Sequence, residues 1–561
     1  MNSVILDIRN LCVTFKSEHS TFEALKNVSF QIHQSESLGV LGESGSGKSL
    51  TALLLLGLFP QQKNVSISGE ITYTNREGLS LNILEIPEKE RKGIRANDFG
   101  IVFQEPATSL NPLMKCGKQI MESILACGQF SRVESIAKTH ELLEVVQLSD
   151  THRFFNAYPH QLSGGQKQRI MIAMALPGNP RILIADEATT SLDSSVQQEI
   201  IQLIESIQTK QQMSLLFITH NPGILAGLVD RILVFKDGEI VKDDTSENVL
   251  GFHNDSSSVF FNDSFKLPSS DTETHNTNGN PVLSIQNISK IFISDSSLFS
   301  RNKQKIIALD NVSFDVYSSE TLGIVGESGS GKTTLARIIL QLIEADSGNI
   351  LFHGENLIGL NPALLKKTRQ KIQIVFQDPF ASLNPLMSIG EALMEPMRVH
   401  SICNSQDERK LKAMDLLELV GLEKEHFYRQ PRAFSGGQRQ RIAIARALAS
   451  NPEIIVFDEA VSALDNTSQY TILNLIQKLK TDIGFTCVFI SHDLRVLKNF
   501  ADRILVLHHG KVEEIGSSVF EGPTSPYTQK LIAAIPPYTS AEFDIAINTR
   551  KLKIKNLYNG N

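Results

Sequence analysis

No stretch of this 561-residue chain reaches the roughly 18–20 consecutive apolar residues that cross a bilayer. The longest apolar run, Leu50–Phe59, follows a glycine-rich segment and is expected to form a buried helix, so the chain is not expected to make a pore of its own. Its first seven residues contain no charged segment leading into an apolar core, and no secretory signal is expected. Cysteine is sparse and scattered, at Cys12, Cys116, Cys127, Cys403 and Cys487, with no C-x-x-C pair. That spacing argues against zinc, iron–sulfur and disulfide frameworks and leaves small buried hydrophobes. Positive charge is not in excess either. The formal net charge is −7, which argues against a nucleic-acid partner, because phosphate backbones are bound mainly through clustered Lys and Arg.

Against these absences stand two phosphate-loop motifs. Gly42-Glu43-Ser44-Gly45-Ser46-Gly47-Lys48-Ser49 recurs as Gly326-Glu327-Ser328-Gly329-Ser330-Gly331-Lys332-Thr333, each after a strand-like apolar run and before a helical one. In G-x-x-x-x-G-K-[S/T] the glycines let backbone N–H groups curl around a β/γ-phosphate, the lysine neutralises it, and the Ser49 or Thr333 hydroxyl binds Mg2+. Two matches in the same context point to two nucleotide sites.

The loops belong to a repeat. Gln104 and Gln377 are 273 residues apart, and the pairs Ser163/Ser435, Asp186/Asp458 and His220/His492 are each 272 apart. The loop lysines are 284 apart, so the first half carries 11 more residues between its phosphate loop and its glutamine, expected as a surface insertion in the turn-rich 61–98 stretch. The expected division is a first domain at 1–250, a flexible linker rich in Ser, Asn, Thr and Asp at 251–280, a second domain at 281–536, and a basic tail at 537–561 whose charges read as a solvated face. A further polar insertion is expected at 294–305.

Within each half, strand-like runs such as Ser37–Leu41, Ile182–Ala185, Leu215–Ile218 and Arg231–Phe235 alternate with helical stretches, the pattern of an α/β fold with a largely parallel sheet. Nucleotide then belongs at the carboxyl ends of the strands. The segments 105–160 and 378–432 read as inserted helical subdomains, with helical patterns at Ile136–Val146 and Leu411–Val420. Two apolar runs end in paired acids, Asp186-Glu187 and Asp458-Glu459. In each pair the first acid suits the Mg2+ shell and the second suits polarising an attacking water.

Ser163-Gly164-Gly165-Gln166 and Ser435-Gly436-Gly437-Gln438, each just before a basic helical stretch and the acid-bearing strand, resemble the signature motif of ATP-binding cassette (ABC) ATPases. The resemblance covers nearly the whole chain and implies two P-loop ABC nucleotide-binding domains in tandem, each with a RecA-like core. It implies Q-loop roles, catalytic and toward Mg2+, for Gln104 and Gln377. It also implies D-loops at Ser191-Leu192-Asp193 and Ala463-Leu464-Asp465, and γ-phosphate switch roles for His220 and His492. It places ATP between halves packed head to tail, the loop of Lys48 facing Ser435 and that of Lys332 facing Ser163, and it suggests Phe15 and Phe292 as adenine platforms, with Phe22 competing. Ala188 and Ala460 stand where the family usually has proline, and Pro177 is expected to shorten or kink the helix after the first signature.

Val102-Phe-Gln-Glu-Pro-Ala-Thr-Ser-Leu-Asn-Pro112, its counterpart Val375–Pro385, and Ser525-Pro-Tyr-Thr resemble the ATPases of bacterial oligopeptide and dipeptide importers, whose fused members include glutathione and microcin C uptake ATPases. The first half has no clear Ser-Pro-Tyr-Thr element. The resemblance implies an ATP- and Mg2+-dependent ATPase at the cytoplasmic face of the bacterial inner membrane, driving two separate permease subunits fed by an extracytoplasmic peptide-binding protein. A soluble ribosome-associated tandem factor is the first alternative; the ATPase of a sugar, nickel or export system is the second.

Overall fold

The computed structural model describes residues 3–16, 21–59, 64–189, 192–251, 279–294, 304–378, 382–462, 464, 466–537 and 539–559. Residues 252–278 of the expected linker, most of the 294–305 insertion, and Ser191, Ala463 and Asp465 of the expected D-loops lie outside them. Two units partition the chain: Met1–Leu192, Val196–Asn262 and Pro536–Asn561 form one, and Asp193–Ser195 with Asp263–Ile535 the other.

The first unit holds β1 (Val4–Lys16), β2 (Thr21–His33), β3 (Ser37–Gly42), β4 (Val65–Thr74), β5 (Ser80–Asn82), β6 (Phe99–Val102), β7 (Ile182–Asp186), β8 (Ser214–Thr219), β9 (Arg231–Lys236) and β10 (Glu239–Thr245). An antiparallel sheet runs β2-β1-β4-β5, and a second sheet runs β10-β9-β3-β8-β7-β6, parallel except for the edge strand β10. Every residue of β3, β7 and β8 is buried, as expected of continuous apolar strands covered on both faces. β10 instead alternates exposed and half-buried residues, which suits a sheet edge.

The second unit repeats the plan with β11 (Leu283–Ser294), β12 (Gln304–Val316), β13 (Thr321–Val325), β14 (Ser347–Phe352), β15 (Glu355–Asn356), β16 (Ile372–Val375), β17 (Ile454–Asp458), β18 (Thr486–Ile490), β19 (Arg503–His508) and β20 (Lys511–Gly516). Its sheets run β12-β11-β14-β15 and β16-β17-β18-β13-β19-β20. The 11 extra residues of the first half are spread over three places. Gly69 and Gly348 share a left-handed backbone against the Asn10 and Asn287 carbonyls, and Asn82 and Asn356 each accept an N–H at 3.3 Å from Ile71 and Ile350. With these as anchors, five residues precede Gly69, five widen the β4–β5 turn, and one follows Asn82.

The inserted helices stand where the sequence pattern predicts them. The first unit has Cys116–Ala126, Arg132–Val145 and Thr151–Asn156, and the second has Ile389–Val399 and Gln406–Leu419. Ser131/Glu134 and Ser388/Glu391 form capping boxes that start two of them. One expectation is adjusted. The helix after the first phosphate loop spans Lys48–Leu55 rather than reaching Phe59, because Gly57 turns left-handed (φ 58°) and Leu58 N–H closes on the Leu53 carbonyl at 2.9 Å. The helix Gly164–Ala175 has 12 residues against 13 in its counterpart Gly436–Leu448, ending just before Pro177.

The basic tail departs from a solvated face. Ser540–Asn559 is a helix, started by a Thr539/Glu542 hydrogen-bond pair, and it packs on the first unit. Phe543 and Ile547 enter the same core as Leu225, Leu228, Val249 and Leu250. Arg550 is buried, its guanidinium donating to the Leu228 carbonyl and, at 2.9 Å, to Asp230. Apolar residues four apart put one helix face inward, and Arg550 follows on that face because the carbonyl and Asp230 satisfy its charge there. Lys551 and Lys553 do stay more than half exposed.

Candidate functional site

Each unit builds the same cluster at the carboxyl ends of its central strands. β3 and β13 run into the phosphate loops, whose glycines Gly45, Gly47, Gly329 and Gly331 all have positive φ. At Gly331 a Cβ would stand 2.4 Å from the Ala308 carbonyl, so the left-handed turn into the helix admits no other residue without displacing backbone. The two lysines are nearly buried, 5% and 4% exposed. Lys48 donates to the Glu43 carbonyl at 2.6 Å and the Ser46 hydroxyl at 3.3 Å, and Lys332 to the Gly326 and Glu327 carbonyls at 2.7 and 3.0 Å. Burial lowers the proton affinity of Lys332 against the opposing pull of Glu459 and Asp458, which stand close to it.

β7 and β17 deliver the acid pairs. Ser49 donates to Asp186 at 3.0 Å and Thr333 to Asp458 at 3.3 Å. Burial raises the proton affinity of both aspartates, helped by the neighbouring Glu187 and Glu459 charges and opposed by these hydroxyls. A hydroxyl beside a carboxylate is an all-oxygen donor set, which suits a hard divalent cation such as Mg2+. Glu187 and Glu459 sit at φ 46° and 49°, a left-handed conformation that costs a non-glycine residue about 1–3 kcal/mol and persists only where the surroundings enforce it. Here the Glu187 and Glu459 N–H groups donate to the Ile218 and Ile490 carbonyls of β8 and β18 at 2.9 and 3.0 Å.

The carboxylates of these glutamates collect the glutamines and histidines singled out by the sequence. Gln104 donates to Glu187 at 2.8 Å and Gln377 to Glu459 at 3.0 Å. His220 and His492 each place Nδ1 3.4 Å from the same carboxylates. Burial works against the charged forms of Glu459 and His492, but their contact prevails, holding the carboxyl below and the imidazole above their usual ranges. Lysine, hydroxyl, acid pair, glutamine and histidine therefore converge twice, within each unit separately.

The signature residues start a different helix. Ser163 and Ser435 each cap it, accepting the Gln166 or Gln438 N–H at 3.3 Å while Gln166 and Gln438 side chains accept the serine N–H. The two copies differ in their surroundings. A Cβ on Gly165 would lie 2.5 Å from Val196, whereas one on Gly437 meets nothing nearer than Ser468 Oγ at 3.6 Å. Beside Gly437 a cavity of about 310 Å3 is lined by Ser435, Arg441, Ser468 and Thr471. Phe15 is half-buried, edge-on to Phe59 with ring centroids 6.1 Å apart, and β-paired with the exposed Phe22. Phe292 is more open, with the Lys290 ammonium 5.7 Å from its ring.

Two features escaped the sequence reading. One is a groove of about 580 Å3 in the first unit, between the helix Glu88–Asn97, β6 and the helix Gly164–Ala175, lined by Arg95, Phe103, Ser109, Met171 and Met174. The other is Tyr527, whose hydroxyl oxygen accepts the Glu327 N–H of the second phosphate loop at 3.2 Å. Among the described residues no helix is long and apolar enough to cross a membrane.

Comparison with known proteins matches the ABC transporter family at residues 25–190 and 309–462. The glutathione import ATP-binding protein GsiA of Pectobacterium atrosepticum is 39% identical over 558 residues, covering 95% of this chain and 89% of its own length. Its namesake in Escherichia coli K12 is 40% identical over 560 residues with the same coverage. A solved dimeric, post-hydrolysis ATP-binding cassette, MJ0796 bound to ADP and Pi, aligns with 42% of this chain and 97% of its own at 33% identity and a TM-score of 0.38.

Proposed function

The chain belongs to the ABC transporter family, and from that premise we propose that it is the ATP-hydrolysing subunit of a bacterial importer for small peptides. The observation that carries this reading is the doubled cluster around Glu187 and Glu459, intact in both units. Relatives named for glutathione import, similar over nearly their whole length, support a substrate of that class.

In this reading each phosphate loop binds the β/γ-phosphates of ATP through its N–H groups and lysine. Ser49 with Asp186, and Thr333 with Asp458, hold Mg2+, Gln104 and Gln377 adding a contact. When bound, Mg2+ neutralises charge developing on the phosphates. Glu187 and Glu459 polarise the attacking water, a role that their left-handed backbone and paired contacts serve by fixing where the carboxylate points. His220 and His492, each with Nδ1 3.4 Å from a carboxylate oxygen of these glutamates, sense the γ-phosphate. Ser163 and Ser435, with the glycines and glutamines that follow them, bring further donors at a helix start to the nucleotide phosphates, with Phe15 and Phe292 as adenine platforms.

The first-unit groove combines Met171, Met174 and Phe103 with Arg95, an apolar floor with a charged rim suited to an amphipathic permease helix. The chain then works at the cytoplasmic membrane face against two permease subunits, with a peptide-binding protein outside. Two experiments test this. Gentle solubilisation followed by mass spectrometry should recover polytopic permease subunits with the tagged chain, whereas ribosomal proteins without a permease would refute the importer reading. Cells lacking the chain should lose uptake of labelled glutathione or dipeptides, and chelating Mg2+ should abolish ATP turnover by the purified complex.

A further inference from the structure

The Ser-Pro-Tyr-Thr element does structural work in the second unit that nothing in the repeat explains. β20 supplies two glutamates. Glu514 accepts the Thr524 N–H and hydroxyl at 2.9 Å each and the Ser525 N–H at 3.3 Å, while Glu513 accepts from the Ser525 hydroxyl at 3.3 Å and lies 3.2 Å from His508 Nδ1. Ser525 in turn caps the helix Pro526–Ala533 by accepting the Tyr527 N–H at 3.2 Å. Tyr527 is therefore fixed at the first turn of an anchored helix, and its ring stacks on His508 with centroids 3.7 Å apart and planes 13° from parallel.

The hydroxyl at the end of that ring accepts the Glu327 N–H. The Glu327 carbonyl, next along the loop, receives Lys332 Nζ at 3.0 Å and the Ser330 N–H at 3.0 Å. The phenol thus holds the phosphate loop at the residue whose carbonyl steers the lysine. Burial pushes the Tyr527 phenol up to about 12, so it stays neutral and does not set a negative charge against an anionic ligand. In the first half, Lys236 occupies the place equivalent to His508, 272 residues earlier, and no Ser-Pro-Tyr-Thr follows.

We infer that Tyr527 is a positioning residue for the second phosphate loop alone, holding it in a nucleotide-ready shape and making the two sites unequal in affinity. This rests on the nucleotide-binding reading above. Pre-organisation is the physical basis: a loop already held in place loses less conformational entropy when phosphate binds.

The test uses full-length protein with one phosphate loop disabled at a time, titrated with a fluorescent ATP analogue. In a Lys48→Ala background, Tyr527→Phe removes only the hydroxyl and keeps the ring on His508. The dissociation constant should rise about two- to tenfold, the span of one net hydrogen bond. In a Lys332→Ala background the same substitution should change nothing. An unchanged constant in the first background overturns the inference, as does an equal weakening in both, which would mark a general packing effect. If the parent backgrounds bind no nucleotide at all, the nucleotide reading falls first and takes the inference with it.

Discussion

Around Glu187 and around Glu459 the same side chains meet at distances that differ by no more than 0.3 Å, from the hydroxyl–aspartate bond to the glutamine–glutamate bond. The flanks of the two units show no such agreement. The first is closed by the helix Ser540–Asn559, which donates Phe543, Ile547 and Arg550, and the second by Pro526–Ala533 with Tyr527 against its phosphate loop. Duplication has been kept where a few tenths of an ångström decide whether a proton or a phosphate is reached. It has been relaxed where any well-packed apolar cover serves.

The sharpest way to break the equality of the centres is to blunt each glutamate in turn. Glu187→Gln and Glu459→Gln should each lower ATP turnover of the assembled transporter about 100-fold or more, the scale of a general-base contribution. A single variant that turns over normally would make one centre a bystander. Next in size is the first-unit cover. Phe543→Ala should destabilise that unit by about 3–5 kcal/mol, seen in calorimetry as an earlier transition for the first unit with the second unit's unchanged; a shift in both would contradict its assignment.

The signatures give a smaller contrast. Gly165→Ala drives a methyl into Val196 and should cost about 1–3 kcal/mol of first-unit stability. Gly437→Ala has room and replaces a helical glycine, so thermal denaturation should show no loss and up to about 1 kcal/mol gained. Equal losses would show that the open space beside Gly437 closes in solution. The smallest effect should be a matched one. Ser131→Ala and Ser388→Ala each remove one half of a capping box and should cost about 0.5–2 kcal/mol apiece.

What the sequence made legible follows from how far apart the partners lie along the chain. The phosphate loops are runs of eight consecutive residues, and each acid pair closes a five-residue buried strand, so local order alone announces them. The parallel sheet was visible for the same reason, through unbroken apolar runs. Ser163-Gly-Gly-Gln166 carries two messages in one pattern, since S-x-x-Q is also a helix-capping signal, and only the structure displayed the second. Tyr527 meets Glu327 across 200 residues and Arg550 meets Asp230 across 320, and no local periodicity encodes either contact. The basic run Arg550–Lys555 hid the apolar face of its own helix, because the helical spacing of Phe543 and Ile547 precedes the charges that dominate the composition.

The closing of the first unit by the helix Ser540–Asn559 also sets a clock. About 290 residues separate Leu250 from Ser540, and at about 5–20 residues per second a ribosome needs roughly 15–60 s to cover them. During that interval Leu225, Leu228, Val249 and Leu250 wait uncovered on the half that was made first. Nascent chains stalled before Ser540 should accordingly be cut faster by protease within this half than chains stalled after Asn559 has left the ribosome, and equal rates would mean that another element shields the patch in the meantime.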